Sequence, residues 1–112
     1  MQMLYCWRCK REMPMLDEAE YEQVTRIGRL SFEQIKAYRE SHAVTIAETP
    51  VDMFFEPMLV EYKRITGFHE TNPRAIWHHR ISIYGPPCRR CGKVLPGPKS
   101  SKCFECGEPR NA

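Results

Sequence analysis

The sequence predicts a small, mainly α-helical protein of about three helices, followed by a short strand region and a cysteine-rich C-terminal module. Three observations predict this fold class. Apolar residues recur at helical spacing in three stretches before Gly67, a later segment alternates between apolar and polar residues, and all six cysteines occur in Cys-x-x-Cys pairs. With 112 residues, 42% of them hydrophobic, the chain can form one compact body and one small appendage.

Two helices are predicted in the first half of the chain. A capping-box pattern that starts at Asp17 predicts a helix over residues 17–27, with Gly28 near its end. A second cap pattern starts at Ser31 and predicts a helix over residues 31–43.

A third helix is predicted to begin with Thr49 as its cap and to end at Gly67. Pro57 lies inside this segment and lacks a backbone N–H, so we expect the helix to kink or restart near Glu56. Its apolar stripe is interpreted as core and consists of Phe54, Met58, Tyr62 and Ile65.

The segment AIWHHRISIYG, residues 75–85, alternates well enough to predict a strand. On a strand His78 and His79 project from opposite faces, so we expect at most one of them to point toward a given metal ion.

The C-terminal module carries the strongest motif, CRRCGKVLPGPKSSKCFECGEPR, with the spacing C-x2-C-x11-C-x2-C. Four thiolates at this spacing can surround one zinc ion, and a glycine after each second cysteine permits the tight turn that each pair needs. The predicted ligands are Cys88, Cys91, Cys103 and Cys106. Residues 88–107 resemble the zinc-ribbon family, which implies a structural zinc site and a role in binding nucleic acid or protein. The fold class is therefore a small metal-stapled α+β protein with a C-terminal zinc ribbon.

The N-terminal pair, Cys6 and Cys9, makes half of a second zinc site. We predict that His78 or His79 helps to complete it, whereas His42 and His69 are interpreted as surface or partly buried side chains. Two alternatives stay open. The pair can be a redox dithiol, or it can share a metal with a C-terminal pair and leave the third pair to the histidines.

Charge is distributed unevenly along the chain. Residues 1–71 carry 9 Lys+Arg against 12 Asp+Glu, a balance of −3, and residues 72–112 carry 8 against 2, a balance of +6. We predict that this basic half binds the phosphates of DNA or RNA. The predicted contact residues are Arg74, Arg80, Arg89, Arg90, Lys93, Lys99 and Lys102.

A competing hypothesis is a protein-interaction module, such as an adaptor, an inhibitor or a toxin-neutralising partner, that uses the acidic helical half. Its acidic cluster consists of Asp17, Glu18, Glu20 and Glu22.

Catalysis is the less favoured class. No nucleotide-binding glycine loop, nucleophile elbow or evident small-molecule site occurs in the sequence. A small metal-dependent nuclease built from the histidines near Asn72 is a remote alternative, because no helix pattern follows them.

The chain is expected to be cytoplasmic and without a membrane partner, since no run approaches the roughly 18 apolar residues of a membrane span. Together with YCWRCKREMPMLDE, the stretch GFHETNPRAIWHHRISIYGPPCRRCGK resembles a family of small bacterial zinc-binding proteins of unassigned function. The resemblance implies that two parts of the chain fold together as one unit. The first part, residues 1–71, contains the N-terminal Cys-x-x-Cys pair and the helical body, and the second part is residues 72–112.

Overall fold

The computed structural model describes residues 1–109, which form a two-stranded sheet, three α-helices and three short 3-10 helices. The strands are β1 (Gln2–Cys6) and β2 (Arg11–Met15), and the α-helices are α1 (Glu18–His42), α2 (Val51–Phe54) and α3 (Glu56–Thr66). The 3-10 helices span Ile46–Glu48, Pro73–His78 and Ile81–Ile83. The structure is therefore a small α+β fold with a cysteine cluster at its C-terminal end.

An antiparallel hairpin, absent from the sequence-based prediction, opens the chain. β1 pairs with β2 from Gln2 opposite Met15 to Cys6 opposite Arg11. The hairpin was missed because β2 contains Pro14, which ordinarily argues against a strand. Pro14 is tolerated here at the edge of a sheet of only two strands.

α1 is one continuous helix of 25 residues, and the prediction of two helices over 17–27 and 31–43 was wrong. Its capping box at Asp17 was predicted correctly. Gly28 does not end the helix. Gly28 is buried, and α3 passes close to it. A Cβ atom added at this position would lie 2.7 Å from Sδ of Met58 and 3.2 Å from the Trp77 ring, so only glycine leaves enough space for this approach. Ser31 donates its hydroxyl to the carbonyl of Ile27 instead of capping a new helix.

The third predicted helix is divided in two. α2 has Pro50 as its N-cap, not Thr49, and α3 begins at Glu56, where Pro57 predicted a restart. Gly67 ends α3 with φ at 75°, and its N–H donates to the carbonyl of Lys63 at 2.7 Å.

The predicted strand over residues 75–85 does not form. Asn72 caps a 3-10 helix over Pro73–His78, and a second short 3-10 helix follows at Ile81–Ile83. Ile76 and His79 are both fully buried and lie three residues apart, which is the 3-10 repeat rather than the two-residue repeat of a strand.

Three apolar clusters support the fold. The largest joins α1, α3 and the 3-10 helix at Pro73–His78, and its buried members are Leu16, Val24, Ile35, Phe55, Met58, Leu59, Tyr62 and Ile76. A second cluster joins the hairpin to Tyr84 and Val94, and a third consists of Leu95 with Cys88 and Cys103. Trp7 packs against both smaller clusters and donates its indole N–H to the carbonyl of Val94 at 2.8 Å. The hairpin is thereby attached to the C-terminal module. No helix within residues 1–109 combines the length and apolar character needed to traverse a lipid bilayer.

Candidate metal centres

Among residues 1–109, two groups of four side chains place their ligand atoms within 4.8 Å of one another. The first centre consists of Cys6, Cys9, His78 and His79, and the second centre consists of Cys88, Cys91, Cys103 and Cys106. Each group can hold a metal ion, and each joins two segments that are separate in the sequence.

All three Cys-x-x-Cys pairs share one backbone geometry, here called a knuckle. The residue after the second cysteine has positive φ and donates its N–H to the carbonyl of the first cysteine. The donors are Lys10 (φ 58°, 2.7 Å to Cys6), Gly92 (φ 80°, 2.9 Å to Cys88) and Gly107 (φ 76°, 2.9 Å to Cys103). This turn also directs backbone N–H groups at the sulfur of the first cysteine. Cys9 N–H donates to the Cys6 sulfur and Arg90 N–H donates to the Cys88 sulfur, each at 3.4 Å.

In the second centre the sulfur spacing is that of metal ligands. The sulfurs of Cys88 and Cys106 lie 3.6 Å apart and those of Cys91 and Cys103 lie 3.5 Å apart. Four sulfurs at zinc–sulfur distances of about 2.3 Å in a tetrahedron are separated by about 3.8 Å, whereas a disulfide requires about 2.05 Å. All six cysteines are free. The backbone N–H of Cys91 is the main cause that lowers the pKa of Cys88 to about 6, whereas burial and the neighbouring thiols raise the pKa of Cys91 and of Cys106. Without a metal the first cysteine is therefore favoured as thiolate, and the second cysteine of each pair keeps its proton until a metal binds.

In the first centre both histidines face the cysteine pair. Nε2 of His78 lies 3.5 Å from the Cys9 sulfur and Nε2 of His79 lies 3.4 Å from it. The expectation that at most one of them points at a given metal was wrong, because the backbone is not a strand there. The 3-10 helix ends at His78, and His79 follows with φ −100° and ψ 51°, so the two rings converge at an interplanar angle of 88°.

Two tyrosines surround the first centre. The Tyr62 hydroxyl donates to the carbonyl of Pro14 at 2.6 Å and lies 3.2 Å from Nδ1 of His79. Since its single hydrogen is used by Pro14, the Tyr62 oxygen accepts from Nδ1–H, and this leaves the lone pair of Nε2 directed at the site. The Tyr84 hydroxyl lies 2.7 Å from the carbonyl of His78 and 3.4 Å from the Cys6 sulfur.

Burial also determines the protonation of the first centre before a metal binds. It lowers the pKa of His79 to about 4, with a further contribution from His78, and it raises the pKa of Cys9 to about 11. The imidazole is therefore neutral at pH 7 and ready to ligate, whereas the Cys9 thiol has to lose its proton to solvent when a metal ion binds.

The seven predicted phosphate-contacting residues differ in their availability. Arg80, Arg89 and Lys93 form ion pairs with Glu18, Glu108 and Glu105 at 2.6, 2.8 and 3.2 Å. The other four are at least partly exposed and have no ion pair within residues 1–109: Arg74, Arg90, Lys99 and Lys102.

The acidic cluster of α1 is largely engaged within the protein. Asp17 and Glu20 form the capping box, Glu18 binds Arg80, and Glu22 lies 2.7 Å from Arg29. His42 stacks on Tyr38 and His69 is exposed, so neither histidine belongs to a metal centre.

Comparison with known proteins adds no relative: the chain matches no protein-family model, no curated protein and no solved structure. Its likeness to a zinc ribbon therefore rests on the four clustered cysteines and their knuckles.

Proposed function

We propose that this protein is a non-catalytic zinc-binding protein that holds two zinc ions and uses its basic C-terminal half to bind nucleic acid. The observation that supports it most is the convergence of four thiol or imidazole ligands at each of two centres. Sulfur-only and mixed sulfur–nitrogen sets in tetrahedral arrangement are the donor sets of zinc or iron–sulfur sites.

Both zinc ions have a structural role in this proposal. Each centre offers four protein ligands, so a tetrahedral ion has no open position for water or substrate. The second centre replaces an apolar core that its segment lacks, since Leu95 is the one buried apolar side chain beside Cys88 and Cys103 in the third cluster, and Trp7 of another segment packs against it. The first centre connects the hairpin to the C-terminal end of the 3-10 helix at Pro73–His78.

Elemental analysis of the full chain tests the zinc proposal. We expect two zinc ions per chain, one in a Cys6→Ser, Cys9→Ser variant and one in a Cys103→Ser, Cys106→Ser variant. Iron in place of zinc, or a stoichiometry unchanged by the first double substitution, would contradict it.

Nucleic-acid binding is supported by the four unpaired cations rather than by all seven predicted residues. Three of them, Arg90, Lys99 and Lys102, lie in the C-terminal module, where phosphate contact would position the protein without specifying a sequence. The competing acidic-surface hypothesis is weaker because its carboxylates already have partners within the protein.

Binding to a labelled DNA duplex over a series of salt concentrations tests this part. Release of counterions from about four phosphates predicts a slope of log K against log salt near −3.6. An Arg90→Gln, Lys102→Gln variant should reduce the slope by about two. Absence of binding at low salt would overturn the nucleic-acid proposal and leave the zinc proposal intact.

A further inference from the structure

An open groove lies on the helical body. It has a volume of about 260 Å³ and is lined by Phe32, Val51, Phe55, Pro73, Arg74 and Trp77. We call it the aromatic groove. Neither metal centre includes any of these residues.

The three aromatic rings of the groove are arranged around Phe32. Its ring meets Phe55 edge-on with centroids 5.0 Å apart and lies nearly parallel to Trp77 with centroids 6.2 Å apart. Phe55 is buried and belongs to the core, but Phe32 is 53% exposed. A large aromatic side chain left half in water beside a concave apolar surface is typical of a binding site.

Basic side chains accompany the groove. Arg74 lines it directly and is exposed. On α1, Arg29 and Lys36 lie three residues before and four residues after Phe32, hence on the same side of the helix. Arg29 is paired with Glu22, whereas Arg74 and Lys36 have no ion pair among residues 1–109. On α2 the same spacing places the exposed carboxylate of Asp52 three residues before Phe55. Arg74 and Lys36 outnumber this carboxylate, so the groove presents net positive charge next to an apolar surface.

The volume of the groove limits what can occupy it. Pockets for small organic ligands and cofactors usually measure about 300–1,000 Å³, and a cavity of about 150 Å³ accepts a single benzene ring. At about 260 Å³, the groove has room for one or two apolar side chains.

We propose that the aromatic groove binds a short acidic segment of a partner protein, which packs a large apolar side chain against the exposed faces of Phe32 and Trp77 and places a carboxylate beside Arg74. Charge complementarity selects an acidic partner, and the size of the groove selects a side chain over a cofactor. This surface is distinct from the metal centres and from the three cations of the C-terminal module, and it shares only Arg74 with the four cations proposed to contact phosphates.

Titration of the zinc-loaded full chain with short capped peptides, followed by nuclear magnetic resonance, tests the proposal. The probes are Asp-Asp-Phe-Leu-Asp-Asp, the same peptide with lysine in place of aspartate, and the same peptide with alanine in place of both apolar residues. The chain has two tryptophans, so a Trp7→Phe variant identifies the indole signal of Trp77.

We expect the acidic apolar peptide to shift the Trp77 signal saturably and the other two peptides to leave it in place. Phe32→Ala and Arg74→Gln should each weaken binding by about tenfold. Leu30→Ala is the matched control, because Leu30 is also on α1 and 55% exposed but does not line the groove, and it should bind normally. Arg74→Gln changes only an exposed side chain, so it still tests the proposal if Phe32→Ala is poorly folded.

Four results would overturn the proposal. Three of them concern the peptides: no saturable shift of Trp77, equal binding of the lysine peptide, or normal binding by both groove variants. The fourth is a single-stranded oligonucleotide that shifts Trp77 and whose binding is weakened by Phe32→Ala, which would indicate a nucleic-acid site.

Discussion

The Tyr62 hydroxyl lies 3.2 Å from Nδ1 of His79, and both side chains are fully buried. The same hydroxyl donates to the carbonyl of Pro14 in β2. One side chain of α3 thus links a strand of the hairpin to a ligand of the first metal centre and determines which nitrogen of that ligand is free to bind.

Replacing Tyr62 with phenylalanine tests this link. Tyr62→Phe leaves Nδ1 of His79 without its acceptor and should weaken metal binding at the first centre by about tenfold or more. It should also lower the free energy of unfolding by about 1–3 kcal/mol, since buried polar groups lose their partner. Cobalt(II) titration and denaturant unfolding measure the two effects.

The control for this substitution is Tyr38→Phe, because Tyr38 packs against His42 and Phe54, away from either centre. Equal cobalt affinities for Tyr62→Phe and the parent would show that Tyr62 does not position His79.

The three knuckles predict opposite effects of two substitutions. Lys10 adopts the backbone conformation with φ 58° that glycine occupies in the other two knuckles, so Lys10→Gly should stabilise the zinc-loaded protein by up to about 1 kcal/mol. Gly92→Ala should destabilise it by about 1 kcal/mol. No atom lies within 4 Å of a Cβ placed at Gly92, so backbone conformation alone causes the loss.

Denaturant unfolding of both variants with zinc in excess measures these changes. A stabilised Gly92→Ala variant would mean that the knuckle conformation is not strained.

The Arg80–Glu18 ion pair predicts that the Glu18 carboxyl group titrates at an unusually low pH. Two hydrogen bonds from the Arg80 guanidinium, at 2.6 and 2.9 Å, are the main cause that lowers the pKa of Glu18 to about 2. Because the folded pKa lies below the ordinary value, the pair stabilises the fold above pH 4.5 and loses this contribution as the pH falls toward 2.

The ¹³C shift of the Glu18 carboxyl in zinc-loaded protein reports this directly. Between pH 7 and 4.5 it should stay constant in the parent chain and should change in Arg80→Gln, as the pKa returns toward 4.5. Titration of Glu18 at this higher pH in both proteins would show that the ion pair does not form in solution.

Metal removal should affect the two ends of the molecule differently. The largest apolar cluster lies among α1, α3 and the 3-10 helix at Pro73–His78 and contains no cysteine, whereas the third cluster is built around Cys88 and Cys103. Excess chelator should therefore unfold residues 88–107 and leave most of the helices intact. In nuclear magnetic resonance spectra the amide signals of residues 88–107 should lose their dispersion, while the helical signal in circular dichroism should largely remain.

Full loss of helix on chelation would show instead that the core depends on zinc. It would also support the prediction that residues 1–71 and 72–112 fold as one unit.

Local patterns in the sequence predicted the parts of the fold that local chemistry determines. The capping box at Asp17, the restart of the helix at Pro57 and its end at Gly67 each depend on neighbouring residues. Gly28 was misinterpreted because its role depends on Met58 and Trp77, which are distant in the sequence. A glycine that ends a helix and one that allows two elements to approach closely look alike in a sequence.

The candidate metal centres also have features that the local sequence predicts and features that depend on tertiary packing. The spacing of the four C-terminal cysteines pointed to one cluster, and the structure brings their sulfurs together. The side-chain directions of His78 and His79 could not be predicted, because they depend on where a 3-10 helix ends. Tyr62 was expected in the core, but its hydrogen bond to His79 comes from tertiary packing and leaves no signal in the sequence.

The first centre joins residues that are 69 and 70 positions apart, Cys9 with His78 and with His79. Closing so long a loop is entropically costly in an unfolded chain, so we expect this centre to form after the helical core has brought its halves together. Before that point the Cys6–Cys9 pair offers two thiols to the same metal that the two C-terminal knuckles bind. We therefore expect metal supplied to the unfolded chain to find mixed pairs of knuckles, and metal supplied after the core has formed to find the native ligand sets.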